Sequence, residues 1–442
     1  MSRFGKINPM IRRPLQWTLA TVLILTLTLS CASSPDLEPA PLDAVGTPTP
    51  LDAVGMPTPT PFQPEPGVYD LPFFDTVNPQ AVATYTPYPT TTVYQNGVFN
   101  SQVLPPDAGV NPLFSAVTNP LTGMPASDPL LLERRPIAIK VANFPRYVRP
   151  QSGLTLADVV FEYYIEDLLT RFIAVFYGND TPMAGPVRSG RYFDEHVLRM
   201  YHSFFVFKFA DPREYDYFQA SDFADFLVVP GVGACPPYRM GKYKRESYNN
   251  VFFDTTRFKN CIERKGVDNT RPALHGGFFS EDPPDSALVF NRISTRYSAD
   301  SYNYWEYDPA SQKYLRYQEV TDTRNGRPPS FAPLMDDQTH LPVTADTVVV
   351  LFVPHTFATL NEAEDEVYHI DLLNYGEAYV FRNGLAYPAQ WHRTSVDQPL
   401  LLTDLNNLPI YLKPGRTFYQ VIGRTSTYSQ SGTDWYFNFK MP

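Results

Sequence analysis

The chain runs to 442 residues, with 46 Asp and Glu against 36 Lys and Arg and a formal net charge of −10. Its 31 Phe and 29 Tyr supply apolar material for a sizeable core, and the length accommodates two or three domains. So acidic a chain lacks the counterion-releasing footprint of a nucleic-acid binder, and that class is excluded.

The first 31 residues have the layout of an export signal. Arg3, Lys6, Arg12 and Arg13 form a positive leader, and LATVLILTLTLS (Leu19 to Ser30) is an apolar run ending in small residues. Cys31 follows at once. That placement resembles a bacterial lipobox, in which the cysteine becomes the lipidated N-terminus, although Thr28 stands where the pattern has an aliphatic residue and Leu29 comes one place late. The alternatives are an ordinary cleaved signal and an uncleaved anchor helix. All three place the body outside the cytoplasm, and lipidated Cys31 would make the membrane a partner.

From Ala32 to about Pro106 the chain has no Lys or Arg and is rich in Pro and Thr, with a tandem repeat PLDAVGTPT (Pro41 to Thr49) and PLDAVGMPT (Pro50 to Thr58). Such a composition buries too little apolar surface to offset chain entropy, so residues 32–110 are expected to form a disordered tether. Flexible-coil statistics give it a reach of roughly 50 Å, lengthened by proline.

A first globular domain is expected over 111–285. PIAIKVANF (Pro136 to Phe144), DVVFEYYI (Asp158 to Ile165) and TRFIAVFYG (Thr170 to Gly178) read as strands, the last two joined by a turn at Glu166-Asp167. Phe193, Val197, Met200 and Phe204 recur at helical spacing, and a second helix is expected from an N-cap at Asp254 to near Gly266. Strands mixed with helices imply an α/β or α+β domain with a mixed sheet. From 286 to 442 a mostly β domain is expected. STRYSADSYNYWEYDPASQKYLRY holds two aromatic-rich strands around an Asp-Pro turn, and TVVVLFVPHT (Thr347 to Thr356) is a buried strand. YVFRNGLAYPAQW carries the hairpin signal Asn383-Gly384, and no helix is expected beyond about residue 290. The stripe YNYWEY (Tyr302 to Tyr307) suits either one strand's core face or a platform for sugar rings.

Cys235 and Cys261 remain in the body. Outside the cytoplasm they either pair, contributing about 3 kcal/mol by chain entropy, or stay as two buried thiols. The seven His are scattered without ligand spacing, so neither a metal nor a cofactor is expected.

NPLTGMP (Asn119 to Pro125), RPIAIKVAN (Arg135 to Asn143), RPQSGLTLADVVFE (Arg149 to Glu162), LTRFIAVF (Leu169 to Phe176) and GPVRSGR (Gly185 to Arg191) occur in that order, and KPGRTFYQVIG (Lys413 to Gly423) lies near the end. Together they resemble the YerB-like lipoproteins. The resemblance implies a two-domain, lipid-anchored envelope protein without an established reaction. Family members continue after the helix with a His- or Gly-Gly-Ser-containing stretch; here FKFADPREYDYF (Phe207 to Phe218) occupies that place.

GPVRSGRYFDEH (Gly185 to His196) is the most informative segment. A helix starting near Ser189 would point unpaired N–H groups at the turn, where Arg188 and Arg191 are locally unfavourable by a few tenths to about 1 kcal/mol. Something negative must compensate. One answer is internal, from Asp158, Glu162, Glu166 or Asp167, with Arg171 also available. The other is an external phosphate or carboxylate held by Arg188, Ser189, Arg191 and Arg171, with His275 of HGGFF lining the cleft. No catalytic set emerges. Val187 stands where a nucleophile elbow needs Gly, His196 is two turns from Ser189, and the carboxylates of EYYIED read as a solvated edge before they read as a hydrolytic pair. The expected function is a non-catalytic module binding a ligand or envelope protein; a cell-wall hydrolase or transferase and an architectural spacer are the alternatives.

Overall fold

The computed structural model describes residues 118–441 apart from 232, 242–246, 275–277, 285–286 and 360–365, together with the short strands Tyr94–Gln95 and Val98–Phe99. The export signal, Cys31, the repeat, most of the expected tether and His275 lie outside the described residues.

The N-terminal half is a mixed α/β arrangement. Ile137–Ala142, Val159–Tyr164 and Thr170–Phe176 are buried along their whole length, which explains why their sequences are nearly continuous apolar runs. Val159–Tyr164 and Thr170–Phe176 form an antiparallel hairpin whose connection places Asp167 and Leu168 at positive φ. Gly185 has φ +144°, and a Cβ there would lie 2.7 Å from the Val187 nitrogen, so only glycine fits this entry to the arginine turn.

The helix expected from Ser189 starts instead at Asp194 and ends at Met200. Backbone pairing decides this. Arg188 N donates to Lys140 O and Lys208 N donates to Arg188 O, so the turn is held extended between two neighbours and cannot close helical rings. Phe204, the fourth residue of the apparent helical period, opens the strand Phe204–Val206. A further helix, Pro212–Ala220, has a capping box between Asp211 and Glu214 with Pro at its first position. The expected helix after Asp254 is a 3-10 turn, Thr255–Arg257, continuing as Phe258–Lys265 and closed by left-handed Gly266.

The C-terminal half is mostly β, and among the described residues it has no α-helix beyond residue 290. The largest sheet passes through both halves. Its order is Leu288–Val289, Leu385–Arg393, Asn374–Arg382, Thr347–Val353, Thr417–Gly423, Val159–Tyr164, Thr170–Phe176, Ile137–Ala142, Phe204–Val206 and Leu227–Val228. Thr417–Gly423 is the joint, running parallel to Thr347–Val353 on one side and to Val159–Tyr164 on the other. Asn383 and Gly384, both at positive φ, turn the hairpin that the sequence marks.

A second sheet contains Tyr302–Asp308, Arg292–Arg296 and Asp434–Asn438. It packs on the first through rings: Trp305 on Phe418 at 4.8 Å, Trp435 on Tyr379 at 5.3 Å and Phe437 on Phe381 at 6.1 Å. Tyr302 and Trp305 of the YNYWEY stripe are buried in this layer, so those two rings serve the core.

A polar knot lies within the apolar interface. Glu162 and Arg316 are both 0% exposed, and Arg316 Nη2 is 2.8 Å from Glu162 Oε2. Thr170 Oγ1 donates to Glu162 Oε1 (3.0 Å), while Asn303 and Gln420 donate to Oε2. Glu162→Ala is expected to cost on the order of 3–5 kcal/mol by stranding the buried guanidinium. Glu162→Leu combined with Arg316→Met should cost less than the two single changes summed, as urea unfolding of the four proteins will measure. Simple additivity would disprove the coupling.

Candidate functional site

Four cations gather where the Gly185–Arg191 turn lies against the strand ends: Arg171, Arg188, Arg191 and Lys208. Arg191 is fully engaged. Its Nε donates to Glu166 Oε2 at 2.8 Å, its Nη2 bonds the other oxygen of that carboxylate, and Glu214 lies 3.7 Å from Nη1. Burial opposes the charge on both partners, but the fork raises the Arg191 pKa and lowers that of Glu166. Arg171 shares Glu166 at 3.6 Å and donates to Ser189 O at 3.0 Å. Burial, followed by repulsion from Arg191, brings Arg171 down to about 9.

Arg188 has no such partner. Among the described residues no carboxylate lies within ion-pairing distance of it, and its Nε is buried without a hydrogen bond. Its guanidinium sits 5.4 Å from the centre of the Tyr248 ring. Burial and the neighbouring Arg191 both lower its pKa. Lys208 Nζ donates to Tyr248 O at 3.3 Å, and it too lacks a carboxylate among the described residues. The acids at the cluster are Glu166, Glu214 and Asp194, the last shared with buried Lys140, and burial pushes Glu214 up to about 7. Among the described residues these acids pair with Arg191, Arg171 and Lys140, so the positive charge left without an ion pair lies on Arg188 and Lys208.

Two of the four expected internal partners of the arginines, Glu162 and Asp158, are engaged elsewhere. Glu162 is committed to Arg316. Asp158 Oδ2 accepts the backbone N–H groups of Tyr177 (2.6 Å) and Gly178 (2.8 Å), and burial raises its pKa to about 6. Glu166, another of the four, at the hairpin turn, is the one that pairs with the arginines. The expected helix-terminus anion site also falls away, because Asp194 fills that position: it accepts from Arg191 N at 2.8 Å and from buried Lys140 Nζ at 2.9 Å. Burial, partly opposed by Asp194, brings the Lys140 amine down to about 7.

The other candidates are dispersed. Ser189 contributes its carbonyl to Arg171. His196 turns away from Ser189: its Nδ1 accepts from Arg393 Nη1 at 2.8 Å, which puts the proton on Nε2, 3.0 Å from Ile370 O. Burial and Arg393 lower its pKa to about 3. Glu162 and Glu166 of EYYIED are held by different arginines. Cys235 and Cys261 form a disulfide with Cα atoms 5.5 Å apart, closing the loop that carries Tyr248. Among the described residues no group of three His, Cys, Asp or Glu could hold a metal ion, and no helix is long and apolar enough to cross a membrane. Lys208 and Tyr248 escaped the sequence reading; only Lys208, at the head of the stretch that departs from the family pattern, had a signal there.

Two family domains match the chain: the protein of unknown function (DUF3048) N-terminal domain over residues 121–268 and the DUF3048 C-terminal domain over residues 293–419. A protein of Bacillus subtilis named "Putative lipoprotein YerB" is 26% identical over 314 residues, covering 69% of this chain and 85% of its own length. The crystal structure of YerB from Bacillus subtilis superposes with a TM-score of 0.56 at 22% identity, covering 69% of this chain and 96% of the other. That likeness is one of fold.

Arg188→Ala is expected to leave stability within about 0.5 kcal/mol of wild type, because it removes an unpaired cation. Arg191→Ala should cost substantially more, towards the lower end of about 3–5 kcal/mol, by stranding Glu214. Equal losses in urea melts would contradict this division. A second expectation concerns His355, whose Nδ1 bonds Val353 O at 2.8 Å and whose pKa burial lowers to about 4. The unfolded chain takes up that proton near pH 6.5, so the contribution is intact above pH 6.5 and lost as pH falls through 4. His355→Gln should therefore lose less stability than wild type between pH 6.5 and 4; an unchanged slope would refute it.

Proposed function

Because the chain belongs to the DUF3048 family, we propose that it is an extracytoplasmic lipoprotein, anchored through Cys31, whose body binds an anionic ligand or partner without catalysis. The export signal, the cysteine directly after it and the name carried by the Bacillus subtilis relative support the anchor. One observation carries the binding role: Arg188 keeps a buried, unsatisfied Nε in a cluster whose carboxylates are already committed. A buried donor without an acceptor is unfavourable, and an arriving anion would supply the acceptor.

Against a hydrolase stands the engagement of the nearby groups, since Glu166 is forked by Arg191 and His196 faces Arg393. Against a mere spacer stands the surplus charge, for which spacing has no use. Pyrophosphate is therefore expected to raise the Tm of the purified full chain more than chloride at equal ionic strength, and Arg188→Ala should abolish the difference. No pyrophosphate-specific shift in wild type would remove the binding role. For the anchor, Cys31→Ser should move the protein from the membrane fraction to the soluble one; retention in the membrane would overturn lipidation.

A further inference from the structure

The surroundings of Arg188 hold more than charge. The backbone of 188–190 runs beside that of 208–209, with Lys208 N donating to Arg188 O and Gly190 N donating to Phe209 O, both at 2.9 Å. This pairing sets two cations and two rings on one short ledge. Arg188 faces the Tyr248 ring at 5.4 Å, and Lys208 faces the Phe209 ring at 5.3 Å. Lys208 also donates to Tyr248 O, so the two pairs adjoin.

Both rings are exposed, Phe209 at 66% and Tyr248 at 46%. Two exposed rings beside two cations that have no carboxylate within ion-pairing distance among the described residues need an explanation. Phe209 needs a second one, because its φ is +64°, a left-handed conformation that a phenylalanine adopts only at a cost. The segment holds a bulky ring out into solvent in a backbone shape that favours glycine.

Resting on the anion-binding role above, we propose that this ledge binds an anionic polysaccharide, with acidic groups on Arg188 and Lys208 and sugar rings lying flat against Tyr248 and Phe209. Two features favour this ligand. A guanidinium fork accepts carboxylate or phosphate oxygens in pairs, while the ammonium of Lys208 takes a single oxygen without fixed geometry. Exposed aromatic faces suit the C–H face of a pyranose, which a simple polypeptide acid lacks. An exposed run of rings and charges suits a repeating polymer, whose successive units can meet a ring and a cation in turn.

The test is titration of the purified full chain with an alginate hexamer, a polyuronate, beside hexaglutamate of equal charge, neutral maltohexaose and phosphatidylglycerol vesicles. Alginate should bind roughly tenfold or more tighter than hexaglutamate, and maltohexaose and the vesicles should bind more weakly still. Phe209→Gly and Tyr248→Ala should each weaken alginate roughly tenfold, and Phe209→Gly should hold or raise the Tm because glycine relieves the backbone. Hexaglutamate or vesicles matching alginate would overturn the proposal, as would ring variants that bind alginate like wild type. The wild-type comparison decides even where a variant folds poorly. Pyrophosphate binding without alginate preference would defeat the polysaccharide and leave the anion site standing; binding of no anion would remove both.

Discussion

The allocation of carboxylates governs this molecule, and Glu162 is its centre. Its strand lies between Thr170–Phe176 and Thr417–Gly423, so its side chain is carried into the seam where the second sheet packs on the first. There Arg316 reaches it from the other half of the chain. A buried ion pair adds little net stability compared with apolar packing, but once formed neither partner can be withdrawn cheaply. Glu162 is therefore unavailable to the arginine turn.

The consequences spread outward. With Glu162 committed to the seam and Asp158 to two backbone amides, the turn has Glu166 and Glu214 to share among its arginines. Geometry gives both to Arg191 and part of Glu166 to Arg171. Arg188 and Lys208 are left facing rings instead of carboxylates. The positive ledge is thus a residue of choices made elsewhere in the fold, and the disulfide-closed loop supplies one of its walls.

Much of the architecture was legible in the chain. Continuous apolar runs marked the buried strands, Asn383-Gly384 marked a hairpin, and Gly266 marked a helix end, because each depends on local backbone chemistry. The helix at the arginine turn was misplaced for the opposite reason. Phe193, Val197 and Met200 do follow a helical period, but Arg188 is bonded on both sides by segments far away in sequence, and no local propensity reports that. The helix Pro212–Ala220 had its capping box in plain view at Asp211 and Glu214, within a stretch that was read only as a departure from the family pattern.

The sequence by itself determined the order of the strands along the chain, the mixed and the β-rich halves, the family, and the identity of the turn whose two arginines need negative partners. Those properties rest on neighbours in the chain and on residue type. Only the tertiary structure decided which carboxylate each arginine receives. That choice depends on side chains brought together across more than a hundred residues, as with Glu162 and Arg316, and on how deeply each pair is buried. Among the described residues Arg188 has no carboxylate partner because of that competition, which no spacing in the sequence records.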